Sequence, residues 1–196
     1  VNIYQDLKGI QKGAYQLEIQ AFVRSKGVDD AYNEFVAGAE DIKAWVYAGD
    51  KKQKVKSLFD WHAENEAPST TKSWSNVGSD PVWYVPNTMK TAYEAMAENP
   101  ENYNNVVSAL CVDGNLRIGF EANDPNNTGQ RWLLFHDFKL TYLGNDASLV
   151  KPVLDDIIAT ATATAEKPMT ATAKTALVDA LDAAKKASAG GDGDAM

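Results

Sequence analysis

The sequence has a single cysteine, Cys111, which excludes an internal disulfide and any thiolate metal cluster. It has two histidines, His62 and His136, thin material for a histidine-rich metal site or a Ser-His-Asp triad. No apolar run approaches the ~18 residues that a membrane-spanning helix needs. Positive charge is scarce: 19 Lys and Arg stand against 27 Asp and Glu, for a net charge of −8. The one basic cluster, Lys51-Lys52-Gln53-Lys54-Val55-Lys56, is short and reads as a solvated turn or strand end. Nucleic-acid binding needs more clustered cations than that. The chain begins at Val1 rather than methionine and reads as a processed or excised piece, with no signal peptide visible. The acidic pairs Asp29-Asp30 and Glu40-Asp41 read as solvated turns, and no nucleophile–base pair stands out, so no enzyme activity is expected.

What is present is aromatic: five Trp and eight Tyr in 196 residues, enough chain for one all-β domain and a small appendage. Composition changes near Gly144, after which Trp, Tyr and Phe vanish and Ala and Thr dominate. Before it, residues 14–24 alternate, with Tyr15, Leu17, Ile19, Ala21 and Val23 on one face and Gln16, Glu18 and Gln20 opposite. Further strands are expected at 42–48, 106–112, 116–120 and 132–142, the last with Trp132, Leu134, Phe138 and Leu140 on one side. Asp113-Gly114 carries a hairpin signal. Asn87 or Thr88 caps a helix running to about Glu98, with Met89, Tyr93 and Met96 on its apolar face and Asn99-Pro100 ending it. Beyond Asp146, Leu149, Val153, Ile157 and Ala161, then Leu177, Leu181 and Ala184, are spaced for two helices broken at Glu166-Lys167-Pro168. Their seams are too poor in large side chains to stand alone. The expected fold is mainly β, an antiparallel jelly-roll-like β-sandwich with one inserted helix and a C-terminal α-helical hairpin. The expected organisation is 1–144 sandwich, 145–189 hairpin spacer and 190–196 flexible tail.

Four landmarks occur in order: Tyr4-Gln5-Asp6-Leu7 with Gly13-Ala14-Tyr15 and Gln20-Ala21-Phe22-Val23-Arg24; Ala44-Trp45-Val46-Tyr47-Ala48-Gly49-Asp50; Tyr84-Val85-Pro86-Asn87-Thr88-Met89; and Trp132-Leu133-Leu134-Phe135-His136-Asp137-Phe138-Lys139-Leu140. Together they resemble a β-sandwich module of secreted gut Bacteroidetes proteins, itself similar to galactose-binding-like jelly rolls and carbohydrate-binding modules. The resemblance implies a non-catalytic glycan-binding module on an extracellular, cell-surface or periplasmic protein. Its partners would be an oligo- or polysaccharide and neighbouring domains of a larger chain, with no nucleic acid and no membrane span. The other reading is a structural or adhesive spacer without a sugar ligand. Two departures stand out: the closing strand of the family usually carries Asp-Asn where this chain has His136-Asp137, and a strand usually precedes the Tyr-Gln landmark, which Val1 begins too late to include.

A sugar offers a C–H face and a rim of hydroxyls, so its site needs an exposed aromatic beside planar polar side chains. Trp74, Trp83 and Tyr84 lie in a stretch rich in Ser, Gly, Asn and Pro, where an exposed platform is expected, Trp74 having polar neighbours on both sides. Arg24 closes its strand and can reach a loop-end cleft or pair with an acid, and Asn126 and Arg131 of the 123–131 loop supply donors for hydroxyls. That loop opens like a calcium loop at Asp124-x-Asn126-x-Thr128-Gly129, but its twelfth position is Phe135, so an EF-hand is rejected and a strand-joining turn is favoured. No cofactor is expected beyond a calcium ion bracing the sandwich. Trp45 and Tyr47 read as inter-sheet packing, His136 as a satisfied core histidine and Cys111 as a small buried apolar residue.

Overall fold

A computed structural model describes residues 1–123 and 132–190. Strands β1 (Asn2–Lys8), β9 (Asn115–Ala122), β3 (Ala44–Ala48) and β4 (Lys51–Lys54) form a four-stranded sheet in that order. Strands β10 (Trp132–Gly144), β2 (Gly13–Arg24) and β8 (Asn104–Cys111) form a second sheet, and β5 (Ala63–Glu64), β7 (Trp83–Pro86) and β6 (Trp74–Val77) a small third. All the ladders are antiparallel. Helices α1 (Val28–Val36), α2 (Met89–Glu98) and α3 (Pro100–Tyr103) lie between strands, and α4 (Ala147–Ala165) and α5 (Ala171–Gly190) follow them. With 36% helix against 37% strand, the fold is mixed rather than mainly β. Among the described residues no helix is long and apolar enough to cross a membrane.

The alternation along β2 decides the core. Tyr15, Leu17, Ile19, Ala21 and Val23 point at Ala44, Val46 and Ala48 of β3 and Leu116, Ile118 and Phe120 of β9, so the two larger sheets share one apolar cluster. Burying a side chain of Leu or Ile size contributes about 1.5–3 kcal/mol. Phe22, on the opposite face of β2, belongs to a second cluster with Phe59, Val85, Ala92, Met96 and Tyr103. Ala14, at the other end of that same face, packs under Val150 and Val153 of α4. The helical pair therefore leans on the sheet, and Lys51 at the β4 edge adds an ion pair to Asp156 at 2.6 Å. Asn105 is fully buried and ties three segments together. Its amide donates to the carbonyls of Ile19, Ala21 and Tyr103, and its Oδ1 accepts from the Lys56 N–H at 2.9 Å.

Several expectations change. Asp113-Gly114 does not close a hairpin: β8 pairs with β2 while β9 pairs with β1 and β3, so the turn carries the chain from one sheet to the other. Gly114 supplies the left-handed φ of +84° and Asp113 Oδ1 accepts from Asn115 N, which makes a sharp turn without strand pairing. Along β10, a bulge between His136 and Lys139 adds a residue opposite β2 and reverses the alternation. Trp132 and Leu134 therefore pack on the second cluster, Leu140 turns to the first, and Phe138 is left 41% exposed. Asp29 and Asp30 lie in the first turn of α1. On α2 the buried face is Thr91, Ala92, Ala95 and Met96, whereas Met89 and Tyr93 point outward. Trp45 and Tyr47 lie on the outer side of their sheet, where Tyr47 sits opposite Gly119 and donates to Asn2 Oδ1. Gly119 cannot carry a side chain there, because a Cβ would fall 2.5 Å from the Ile3 carbonyl.

Replacing Asn105 by Leu leaves three carbonyls and one N–H buried without their partner. Urea unfolding is expected to show a loss of ~3 kcal/mol.

Candidate functional site

The outer face of β2 presents Ala14, Gln16, Glu18, Gln20 and Phe22 in sequence. Its apolar ends are covered, Ala14 by α4 and Phe22 by the aromatic cluster under α2. The polar middle is left open, and there the molecule has a cavity of about 460 Å³. Register builds its floor: Gln20 stands opposite both His136 of β10 and Asn104 of β8, and Glu18 opposite Lys139. The β10 bulge brings Asp137, in the left-handed conformation at φ +55°, to the same floor. Tyr93, Met96 and Ala97 of α2 and Pro100 of α3 make the wall. Thr88 holds α2 in place through a capping box with Thr91.

Each polar group of the floor is oriented by a neighbour. The Gln20 amide nitrogen donates to the Pro100 carbonyl at 3.1 Å, which turns its Oε1 away. His136 Nδ1 lies 2.9 Å from Asp137 Oδ2. Glu18 accepts from Lys139 Nζ at 2.9 Å and from Asn104 Nδ2 at 3.3 Å, and these two bonds hold its carboxyl below the usual range. Gln20 Oε1 and His136 Nε2 have no hydrogen-bond partner among the described residues. Tyr93 rises from the rim 65% exposed, its ring centre 6.0 Å from that of His136. His136 is therefore a half-exposed cleft residue and not a satisfied core histidine, because the bulge and the polar row of β2 keep it out of both clusters.

The aromatic residues expected on an exposed loop lie elsewhere. Trp74 and Trp83 are in β6 and β7, half-buried against the second cluster. Trp74 meets Trp61 at 5.6 Å, and Trp83 packs edge-on to Tyr32 and stacks on His62 at 3.6 Å. Tyr84 is half-buried and pairs with Asn76 and Ala63. These three share the small sheet, but register sets Trp83 on the opposite face from Tyr84 and Trp74. They form a packed wall instead of an open platform, since the short strands need the aromatic area to hold them. Arg24 is not brought into that group. Its Nη1 donates to Asn87 Oδ1 at 3.3 Å, its guanidinium lies 5.3 Å over Trp132, and burial lowers its pKa. Asn126 and Arg131, and the 124–131 stretch with its calcium-like opening, lie outside the described residues. Among the described residues no three His, Cys, Asp or Glu are grouped to hold a metal ion. Cys111 is buried.

A second group of carboxylates is electrostatically distinct. Burial pushes Glu40 up to about 7, opposed by the hydrogen bond from Ser57 Oγ and reinforced by Asp60 and Glu34. Asp60 is also raised by burial, while it accepts from the Ser57 N–H in a capping box. The folded state thus holds a proton on Glu40 that the unfolded chain releases from about 4.5 upward. This contribution to stability is complete at low pH and is lost as pH rises through about 7. Glu40→Gln, which keeps an acceptor for Ser57 and carries no charge, is expected to melt with the native protein at pH 4.5 and above it at pH 8, as read by thermal denaturation across that range.

The chain matches no family model, no curated protein and no solved structure, so the chemistry of the cleft carries the functional reading.

Proposed function

We propose that this chain is a non-catalytic glycan-binding module of a secreted or surface-exposed bacterial protein, and that the cleft between α2 and the outer face of β2 and β10 receives the sugar. The observation that carries the reading is the juxtaposition of an exposed aromatic ring, Tyr93, with a concave floor of planar polar side chains, Gln20, Asn104 and His136. An aromatic face meets the C–H side of a pyranose, and fixed amides and imidazole meet its hydroxyls. The resemblance of the landmark strands to galactose-binding-like jelly rolls supports the same reading, as do two antiparallel sheets that share one core. A jelly-roll-like sandwich is the architecture we propose for that pair of sheets. Relative to the loop expectation, the site moves about one element along: Trp74, Trp83 and Tyr84 brace the small sheet, and Tyr93 takes the role of platform.

Carboxylates already paired suit binding better than catalysis. Glu18 is held charged by Lys139 and Asn104, so it is not a leaving-group acid poised beside a free base. The module would act beside neighbouring domains of a larger chain, with no cofactor in its cleft.

On a glycan array, the chain is expected to give a saturable hit that Tyr93→Ala weakens about ten-fold, the ~1.4 kcal/mol of one lost stacking contact, with no change in melting temperature. No hit across plant, host and microbial glycans would overturn the reading in favour of a spacer without a sugar ligand.

A further inference from the structure

Resting on the glycan reading of the same cleft, we infer that its ligand is a sugar unit without acidic groups, whose free hydroxyls donate to two acceptors, Gln20 Oε1 and His136 Nε2. The polarity of the floor leads there. The Gln20 amide can reach the Pro100 carbonyl only through its NH₂ group, so its oxygen is the end left over. His136 Nδ1 faces Asp137 Oδ2, so the ring donates its Nδ1–H there and Nε2 is the nitrogen left over, an acceptor when the imidazole is neutral. Both leftover atoms are buried, and neither has a partner among the described residues. A buried polar atom without a hydrogen bond costs about 1–3 kcal/mol. A donor arriving from the ligand would recover that cost at two neighbouring points, because Gln20 and His136 are direct cross-strand partners. Both residues line the cleft.

The charges narrow the class of donor. Glu18 is matched by Lys139, while Asp137 accepts from a neutral His136 ring and keeps its own negative charge. The floor therefore keeps no unspent positive charge for a uronate or sulfate, and Asp137 repels one. Hydroxyls suit that field: they donate without bringing a negative charge into the cleft. A pair of adjacent hydroxyls on one pyranose, its C–H face turned to Tyr93, fits the two acceptors and the ring together.

Affinity electrophoresis tests this with the whole chain in gels containing laminarin, mannan, galactan or xylan, and in parallel alginate or polygalacturonate. Retardation is expected in at least one neutral gel and in none of the charged ones. The retarding polysaccharide should lose its effect after O-methylation, which removes the donors and keeps the ring. Gln20→Met and His136→Phe, which keep the bulk and remove the acceptor, are expected to weaken retardation at least ~10-fold with unchanged melting temperature. Gln16→Met, on the same strand face but outside the cleft, should bind as the native chain does. Retention undiminished by O-methylation, or stronger retardation by an acidic polysaccharide, would overturn the assignment while leaving glycan binding intact. The methylation arm uses the native chain, so it decides even if a variant fails to fold. No retardation in any gel would remove the glycan reading itself, and the assignment with it.

Discussion

Strand β2 has hydrogen-bonded neighbours on both edges and apolar contacts on both faces. Each of the three apolar clusters among the described residues includes side chains of this strand: Tyr15, Leu17, Ile19, Ala21 and Val23 in the first, Phe22 in the second, Ala14 in the third. A strand in that position must satisfy two ladders and two faces at once, which leaves little freedom in its register. A shift of one residue would exchange Leu17, Ile19 and Ala21 for Glu18, Gln20 and Phe22 at the main core. Asn105 strengthens the constraint, because its amide bonds to two carbonyls of β2 and to Tyr103 beyond the strand.

The cleft is a by-product of that same strand. Helices cover a sheet where its outer row is apolar, and the outer row of β2 is apolar only at its ends. Over Gln16, Glu18 and Gln20 a helix would have buried polar groups without gain. The result is a gap with α2 and α3 on one side and a bulged β10 on the other. The bulge matters chemically as well as sterically. It places an imidazole and a carboxylate from successive residues over the same floor, and it does so at the one point where β10 changes which cluster it faces.

Elsewhere the surface is arranged to stay apart from other strands. One edge of the four-stranded sheet is β4, with Lys51, Lys52 and Lys54 along four residues. An edge so rich in lysine resists pairing with another chain. Lys52 also bonds to Glu121 at 2.8 Å and lies 5.7 Å over the Tyr47 ring, so the edge is tied to the sheet behind it. The strand-end reading of this basic cluster thus has a structural purpose that charge counting alone leaves blank.

Much of the local structure was legible in the residues. The alternation of 14–24 determined a strand with one buried face, Thr88 and Asn99-Pro100 determined the two ends of α2, and Glu166-Lys167-Pro168 determined the break between α4 and α5. These features depend on neighbours a few residues apart, where period, capping and proline act directly. The row Gln16, Glu18, Gln20 was visible as well, as the polar face of that strand. What the residues alone left open was the partner of each strand. Asp113-Gly114 has hairpin chemistry, yet the strands on either side belong to different sheets, because their apolar faces gain more by meeting across the core than by pairing edge to edge. For the same reason the alternation of β10 misled, since an inserted bulge residue leaves no local mark in composition. Trp74 and Trp83 carry polar neighbours and still pack inward, as large aromatic side chains are what can fill the space under short strands. Gln20 lies more than eighty positions before Asn104 and His136 in sequence, and only the pairing of β2 with β8 and β10, under a helix capped at Thr88, brings Gln20, Asn104, His136 and Tyr93 around one cavity.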